Sequence, residues 1–370
     1  MTPTELRADI PGLADVAYFN YGAHGPSPTA VVEAADTVTR NHEFHPGRTD
    51  PYEYAFETYE KARERIASLL GVSPTSVGLT ESTTTGINAI ATAIEWEPGD
   101  CIVRTDVEHP AGILPWERLE REGVEVRVLE TTEGRVDLDA YATAVEDAKL
   151  VCFSALTWTH GTRLPVAELA TIAREHGTLS LVDAVQFPGQ ARMDISDWNA
   201  DFVAAAGHKW LLGLWGAGFL YVAPHLADEL APRWVGYRSV ETPVTSPFVY
   251  LPGARRFEVG SASPAPFGAI VEAIEVIERI GLKKIESRIL SLASRLIASI
   301  PDDRLLSPAS PESGLVTIDV EDPPAAVEQL ADAGFVIRDL PDPAAIRISV
   351  HAVNTTEEVD RLASELNTLW

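Results

Sequence analysis

Apolar and polar positions along this chain fall into two rhythms. Short apolar runs read as buried strands: SVGLT (76–80), CIVRT (101–105), LVCFSAL (150–156), LSLVD (179–183) and Gly218 to Val222. Each is too short for a helix and is bounded by turn-forming residues. VEVRVLE (124–130) alternates, the sign of a strand with one wet face. Helical spacings lie between them. Residues 52–70 run to Gly71, a glycine suited to a left-handed C-cap. Ile87, Ile90, Ala91 and Ile94 recur at helical intervals behind Ser82, Thr83 and Thr84, whose hydroxyls suit a helix start. Residues 165–177 form a helix closed by Gly177. Strand–helix–strand succession requires right-handed crossovers and a largely parallel sheet. Ser27-Pro28 fits an N-cap followed by proline at the first helical position, opening a helix to about Asn41. Residues 1–17 read as an irregular or weakly helical arm.

From Pro266 the pattern changes. Two amphipathic helices are followed by strands GLVTIDV (314–320), FVIRDL (335–340) and AIRISV (345–350). A last helix over 355–369 starts behind Asn354 and Glu357, spaced like a capping box. The expected architecture is therefore α/β: a large domain over 18–255 built on a mainly parallel sheet, and a smaller α+β domain formed by 1–17 and 256–370.

Composition narrows the setting. At 370 residues, 45% hydrophobic and with mean hydropathy near zero, the chain has enough apolar surface for a sizeable core and two domains. Its net charge of −26 argues against nucleic acid or an anionic membrane as partner. With Arg heavily preferred to Lys, it also suggests adaptation to high salt, where screening relieves self-repulsion. Cys101 and Cys152 sit in apolar runs and read as buried strand residues, not a disulfide framework. The first residues carry neither a basic start nor an apolar core of a signal peptide, and no run approaches a membrane span, so a cytoplasmic location is expected. No metal-ligand spacing is found.

Five lysines are present, and four stand in polar or amphipathic surroundings. Lys209 follows DFVAAAG and His208 and precedes WLLGLWGAGFLYV. A lysine there loses hydration, its pKa falls, and the neutral amine becomes a nucleophile toward carbonyls. A strand-end lysine snorkelling to the surface is the plainer alternative. Asp183 ends a buried strand, where open α/β sheets place ligands, and could pair with a cationic ring nitrogen. Gln186 could donate to a ring hydroxyl oxygen and His208 to a phosphate. Ser82, Thr83 and Thr84 offer free amides, hydroxyls and a positive helix end to the same phosphate.

VDAVQ (182–186) and GHKW (207–210) resemble the cofactor-aspartate and Schiff-base-lysine blocks of the class V aminotransferase-like, pyridoxal-phosphate-dependent enzymes. That family includes cysteine desulfurases, cyst(e)ine C–S lyases, isopenicillin N epimerase and kynureninase. The likeness runs from YFNYGAHGPSP (18–28) to NTTEEVDRL (354–362) and looks closest to the C–S lyase branch, through FNYGAHGP, GHKW and WVGYRS (234–239). It implies the aspartate-aminotransferase-type fold (fold type I), pyridoxal 5'-phosphate as cofactor and a homodimer with shared active sites. Lys209 would carry the cofactor, and Thr83, Thr84, His109, Asp183, Gln186, His208 and Ser261 would bind it. His109 would stack on the ring, and Ser261 would reach the neighbouring subunit's phosphate. Asn20, Gly22, Ala23, His24 and Trp158 would line the substrate pocket, with Arg347 gripping the substrate carboxylate. Arg256 and Glu258 are expected to fix their loop by pairing. Two departures are Ala206, where many relatives carry a hydroxyl, and Trp158, where many desulfurases carry an Asn.

The resemblance implies an amino-acid substrate and, most directly, β-elimination from cysteine, cystine or a related thio-amino acid. Desulfuration needs a thiolate on a mobile loop ahead of the carboxylate arginine, and GFVIRDLPDPAAIR (334–347) contains no cysteine. Cysteine desulfurase-like, isopenicillin N epimerase-like and aminotransferase activities, and more distantly a noncatalytic protein keeping the fold, stay open as alternatives.

Overall fold

The computed structural model describes residues 1–369. Its central sheet has seven strands in the order Val77–Thr80, Gly218–Val222, Phe202–Ala206, Leu179–Asp183, Leu150–Ser154, Cys101–Thr105 and Glu125–Leu129. All run parallel except Gly218–Val222, which is antiparallel to both neighbours. The inner strands are buried on both faces, which is why they read as continuous apolar runs. The edge strand Glu125–Leu129 is only half-buried or exposed up to Leu129, so its alternating sequence is not matched by alternating burial. Each large apolar side chain buried this way contributes about 1.5–3 kcal/mol. Thr105, Ser154, Asp183 and Ala206 all stand at carboxyl ends of strands, so the sheet delivers them to one edge.

A smaller antiparallel sheet orders Arg338–Pro341, Ala344–Ser349 and Leu315–Asp319. Ala17–Tyr18 pairs in parallel with Phe335–Val336, and Asn20 bridges to Ser349, tying the start of the chain to its end. Two hydrophobic cores result. The second gathers Ala17, Phe19, the end of the helix Leu282–Ile297, the small sheet and the last helix. Leu6, Ile10 and Leu13, with the helix Ala265–Ile280 and Ile285 and Ile289, belong to the first. Core membership thus follows a different line from a division at residues 17 and 255.

The weakly helical arm holds one short helix, Pro3–Ala8, opened by a capping box between Thr2 and Glu5. Several other local expectations are corrected. The N-cap of Thr29–Phe44 is Pro28, because the Ser27 hydroxyl donates to the Gly213 carbonyl instead. The capping box of Thr356–Leu366 uses Thr355 and Glu358; Asn354 caps the turn before it, accepting from His351 N–H. Arg256 and Glu258 do not pair with each other. Arg256 meets Asp228, while Glu258 lies buried between Arg63 and Arg238.

Candidate active site

Lys209 stands in the turn after the buried strand Phe202–Ala206. Gly25 packs so closely on it that a Cβ there would lie 2.1 Å from the Lys209 carbonyl oxygen. Burial pushes the Lys209 amine down to about 7, Asp183 opposes the shift, and Arg347 and Arg338 add to it. The amine is therefore largely deprotonated at mildly alkaline pH, a condition for Schiff-base formation. Asp183 is buried, and its Oδ1 accepts from the Val185 N–H at 2.9 Å. Burial raises its pKa, which the Val185 bond and Lys209 counteract. A buried carboxylate in that state calls for a cationic partner.

His109 caps the short helix Pro110–Gly112, with Nδ1 accepting from the Ala111 N–H at 3.2 Å. Burial, then the charges of Lys209, Arg338 and Arg347, push it down to about 4, so the ring is neutral. Its edge meets the Trp158 indole at 5.3 Å and 82°. Ser82 caps the helix Thr83–Ala93 through the Thr85 N–H. The Thr83 hydroxyl is buried without a partner, and Thr84 is exposed. The Thr83 and Thr84 amides of this first turn remain free to meet an anion. His208 is pushed down to about 4 by burial and by Lys209. The Gln186 amide is already engaged: Nε2 donates to the Gly22 carbonyl at 3.0 Å, and Oε1 accepts from Trp210 Nε1 at 2.7 Å. One amide hydrogen is left for a ring oxygen.

Arg347 is fully buried. Nη1 donates to the Trp158 carbonyl at 2.9 Å, whereas Nε and Nη2 have no partner. Burial, then Arg338, lowers its pKa to about 9, and among the described residues no carboxylate pairs with it. Gly22 lets the chain pass it: a Cβ there would lie 2.9 Å from Nη2. The amides of Ala23 and His24 both donate to the Asn20 carbonyl, and Asn20 Oδ1 is buried without a partner. Loop 20–24 thus runs from Arg347 to the turn holding Lys209. Ser261 is different: it is exposed, and its hydroxyl pairs with that of Tyr237 at 2.9 Å, away from any hydrogen bond to these residues.

Sequence reasoning missed three residues here. Glu108 is buried and accepts from Thr105 Oγ1, Ser154 N and Ser154 Oγ at 2.6, 2.9 and 2.7 Å, clamping two strand ends. Burial pushes it up to about 7, partly offset by these bonds. Its signal was an acid directly before His109. Arg338 lies opposite Arg347 in the small sheet. Both guanidiniums lie near the Trp158 ring, 5.9 and 5.8 Å from its centroid. No sequence signal marked Arg338, because only the strand register sets it opposite Arg347. Trp215, in the loop after Lys209, packs on His208.

Pyridoxal phosphate fits this donor set. Asp183 is a buried carboxylate for a ring N–H, Lys209 an amine for its carbonyl, the neutral His109 a ring to stack, and the Thr83 hydroxyl an unpartnered group at a helix start. Among the described residues no cluster of His, Cys, Asp or Glu is arranged to hold a metal, and no helix is long and apolar enough to cross a membrane.

The model of the family Aminotransferase class-V matches residues 17–362. A probable cysteine desulfurase of Methanothermobacter thermautotrophicus is 30% identical, over 99% of this chain and 98% of its own. Isopenicillin N epimerase of Streptomyces clavuligerus is 31% identical, over 96% and 95%. Among solved structures, the cystine C–S lyase C-DES, in complex with its reaction product cysteine persulfide, superposes with a TM-score of 0.91 at 26% identity, covering 97% of this chain and 99% of that one. A lysine-to-alanine mutant of C-DES with glycine covalently linked to the PLP cofactor gives 0.92 at 26%, covering 98% and 99%.

Proposed function

Because the chain belongs to the aminotransferase class-V family, we propose that it is a pyridoxal-phosphate-dependent C–S lyase, eliminating sulfur from the β-carbon of cystine or a similar thio-amino acid. When bound, the cofactor supplies the electron sink that stabilises negative charge at Cα. In this reading Asp183 holds the ring nitrogen protonated, His109 covers the ring, and Thr83, Thr84 and His208 bind phosphate. Gln186 reaches the ring hydroxyl, and Arg347 grips the α-carboxylate. Lys209 removes the Cα proton. The Cβ–S bond then breaks, and the leaving sulfur keeps its electron pair. The released enamine hydrolyses to pyruvate and ammonia.

The state of the thiols carries the choice of elimination over desulfuration. Cys101 and Cys152 are both buried, and burial pushes both thiols up, Cys152 far up. The segment before Arg347 is a hairpin of Arg338–Pro341 and Ala344–Ser349 that offers no thiol. Arg338 favours cystine over cysteine, since a second cation beside Trp158 suits a substrate with two carboxylates. Ser261 is assigned to a partner subunit's phosphate, in a homodimer built on the exposed Trp234, Val235, Tyr237 and Phe248. The acidic surface is assigned to a salt-rich cytoplasm.

The test is product analysis. Holoprotein in high salt is given L-cystine or L-cysteine, and pyruvate, alanine and released sulfur are measured together. Pyruvate equal to sulfur, lost in Lys209→Ala, is the expected result; alanine as the carbon product would overturn elimination.

A further inference from the structure

Trp215 is 67% exposed yet held in place by two histidines. Its Nε1 donates to His24 Nδ1 at 3.0 Å. Its ring lies against His208, with centroids 4.7 Å apart and planes at 38°. Gly216, at φ +95°, permits the sharp turn that follows it. An indole N–H only donates, so His24 Nδ1 must accept, and the proton of the neutral imidazole resides on Nε2. The His24 backbone is fixed as well. Its N–H donates to the Asn20 carbonyl at 3.1 Å, and its carbonyl accepts from the Tyr18 hydroxyl at 2.7 Å. Burial lowers the His24 pKa, against a hydrogen bond with the His208 backbone that raises it, in keeping with a neutral ring. The residues around this contact are those of the site: Gly22 against Arg347, Gly25 against Lys209, and His208 next to Lys209 in sequence.

We propose that Trp215 is a positioning residue that locks His24 in its Nε2–H form, so that loop 20–24 presents a fixed hydrogen-bond donor to the bound amino-acid substrate. The donor role rests on the reading of this site as a lyase; the tautomer does not.

Two measurements separate them. Histidine labelled with 15N in the holoprotein reports the tautomer directly by two-bond proton–nitrogen correlation. His24 is expected as Nε2–H, and Trp215→Phe, which keeps a ring on His208 but removes the N–H, is expected to give a mixture, with cofactor absorbance unchanged. An unchanged tautomer in Trp215→Phe would overturn the lock, whatever reaction the enzyme runs. With L-cystine, Trp215→Phe and His24→Leu should each lose about tenfold in kcat/KM, while His24→Gln, which keeps an N–H donor, retains at least about a third. His24→Leu within about twofold of wild type would overturn the donor role.

Discussion

Burial pushes the Lys209 amine to about 7 against the pull of Asp183, so protonation decides whether it can capture a carbonyl. Below that pH the amine is charged and inert; above it the nucleophile is free. The rate at which apoprotein captures pyridoxal phosphate should therefore rise through a midpoint near 7 and level off by about pH 8, followed by absorbance. A rate still climbing past about pH 10 would mean an ordinary lysine. Lys209 and Asp183 were legible in the sequence because Asp183 ends a buried strand, Lys209 follows one closely, and the VDAVQ and GHKW blocks around them resemble those of a known family. Arg338 was not, because its meaning depends on the antiparallel register that sets it opposite Arg347. Trp215 was not, because its partner His24 is remote in the chain.

Strands and turns, more than single residues, bring the site together. Four strand ends supply Thr105, Ser154, Asp183 and Ala206 to one edge of the sheet, and Glu108 ties two of those ends. The turn at Gly25 then closes over Lys209 from the other side. Gly25→Ala should destabilise the protein by about 2–3 kcal/mol in chemical denaturation and weaken cofactor retention, because the added carbon meets backbone that cannot rotate away. Unchanged stability would show that the turn yields. Strand positions were readable from apolar runs, while the caps at Pro28 and Thr355 were not. At Thr355 a neighbour with the same capping chemistry, Asn354, competes. At Pro28, which makes no side-chain cap bond, the Ser27 hydroxyl is drawn away to the Gly213 carbonyl.

At the scale of the molecule, −26 charges crowd one chain. Screening should stabilise it: the melting temperature is expected to climb by roughly 10 °C or more between about 0.1 and 2 M NaCl, as the Debye length falls from about 10 Å to below 3 Å. A flat or falling curve would count against adaptation to salt. We place the start of the second unit within the helix Leu282–Ile297, where core membership changes hands, since Ile289 packs in the first core and Leu292 in the second. Composition showed the charge but could not show this handover, which depends on which face of one helix meets which core.

Elimination without a protein thiol is tested most directly by the double variant Cys101→Ala, Cys152→Ala, assayed as folded holoprotein for pyruvate from L-cystine. Turnover within about threefold of wild type is expected, since both thiols are buried and serve packing alone. Loss of turnover in a variant that keeps its fold and cofactor would contradict it, and would make one of the two buried cysteines part of the chemistry.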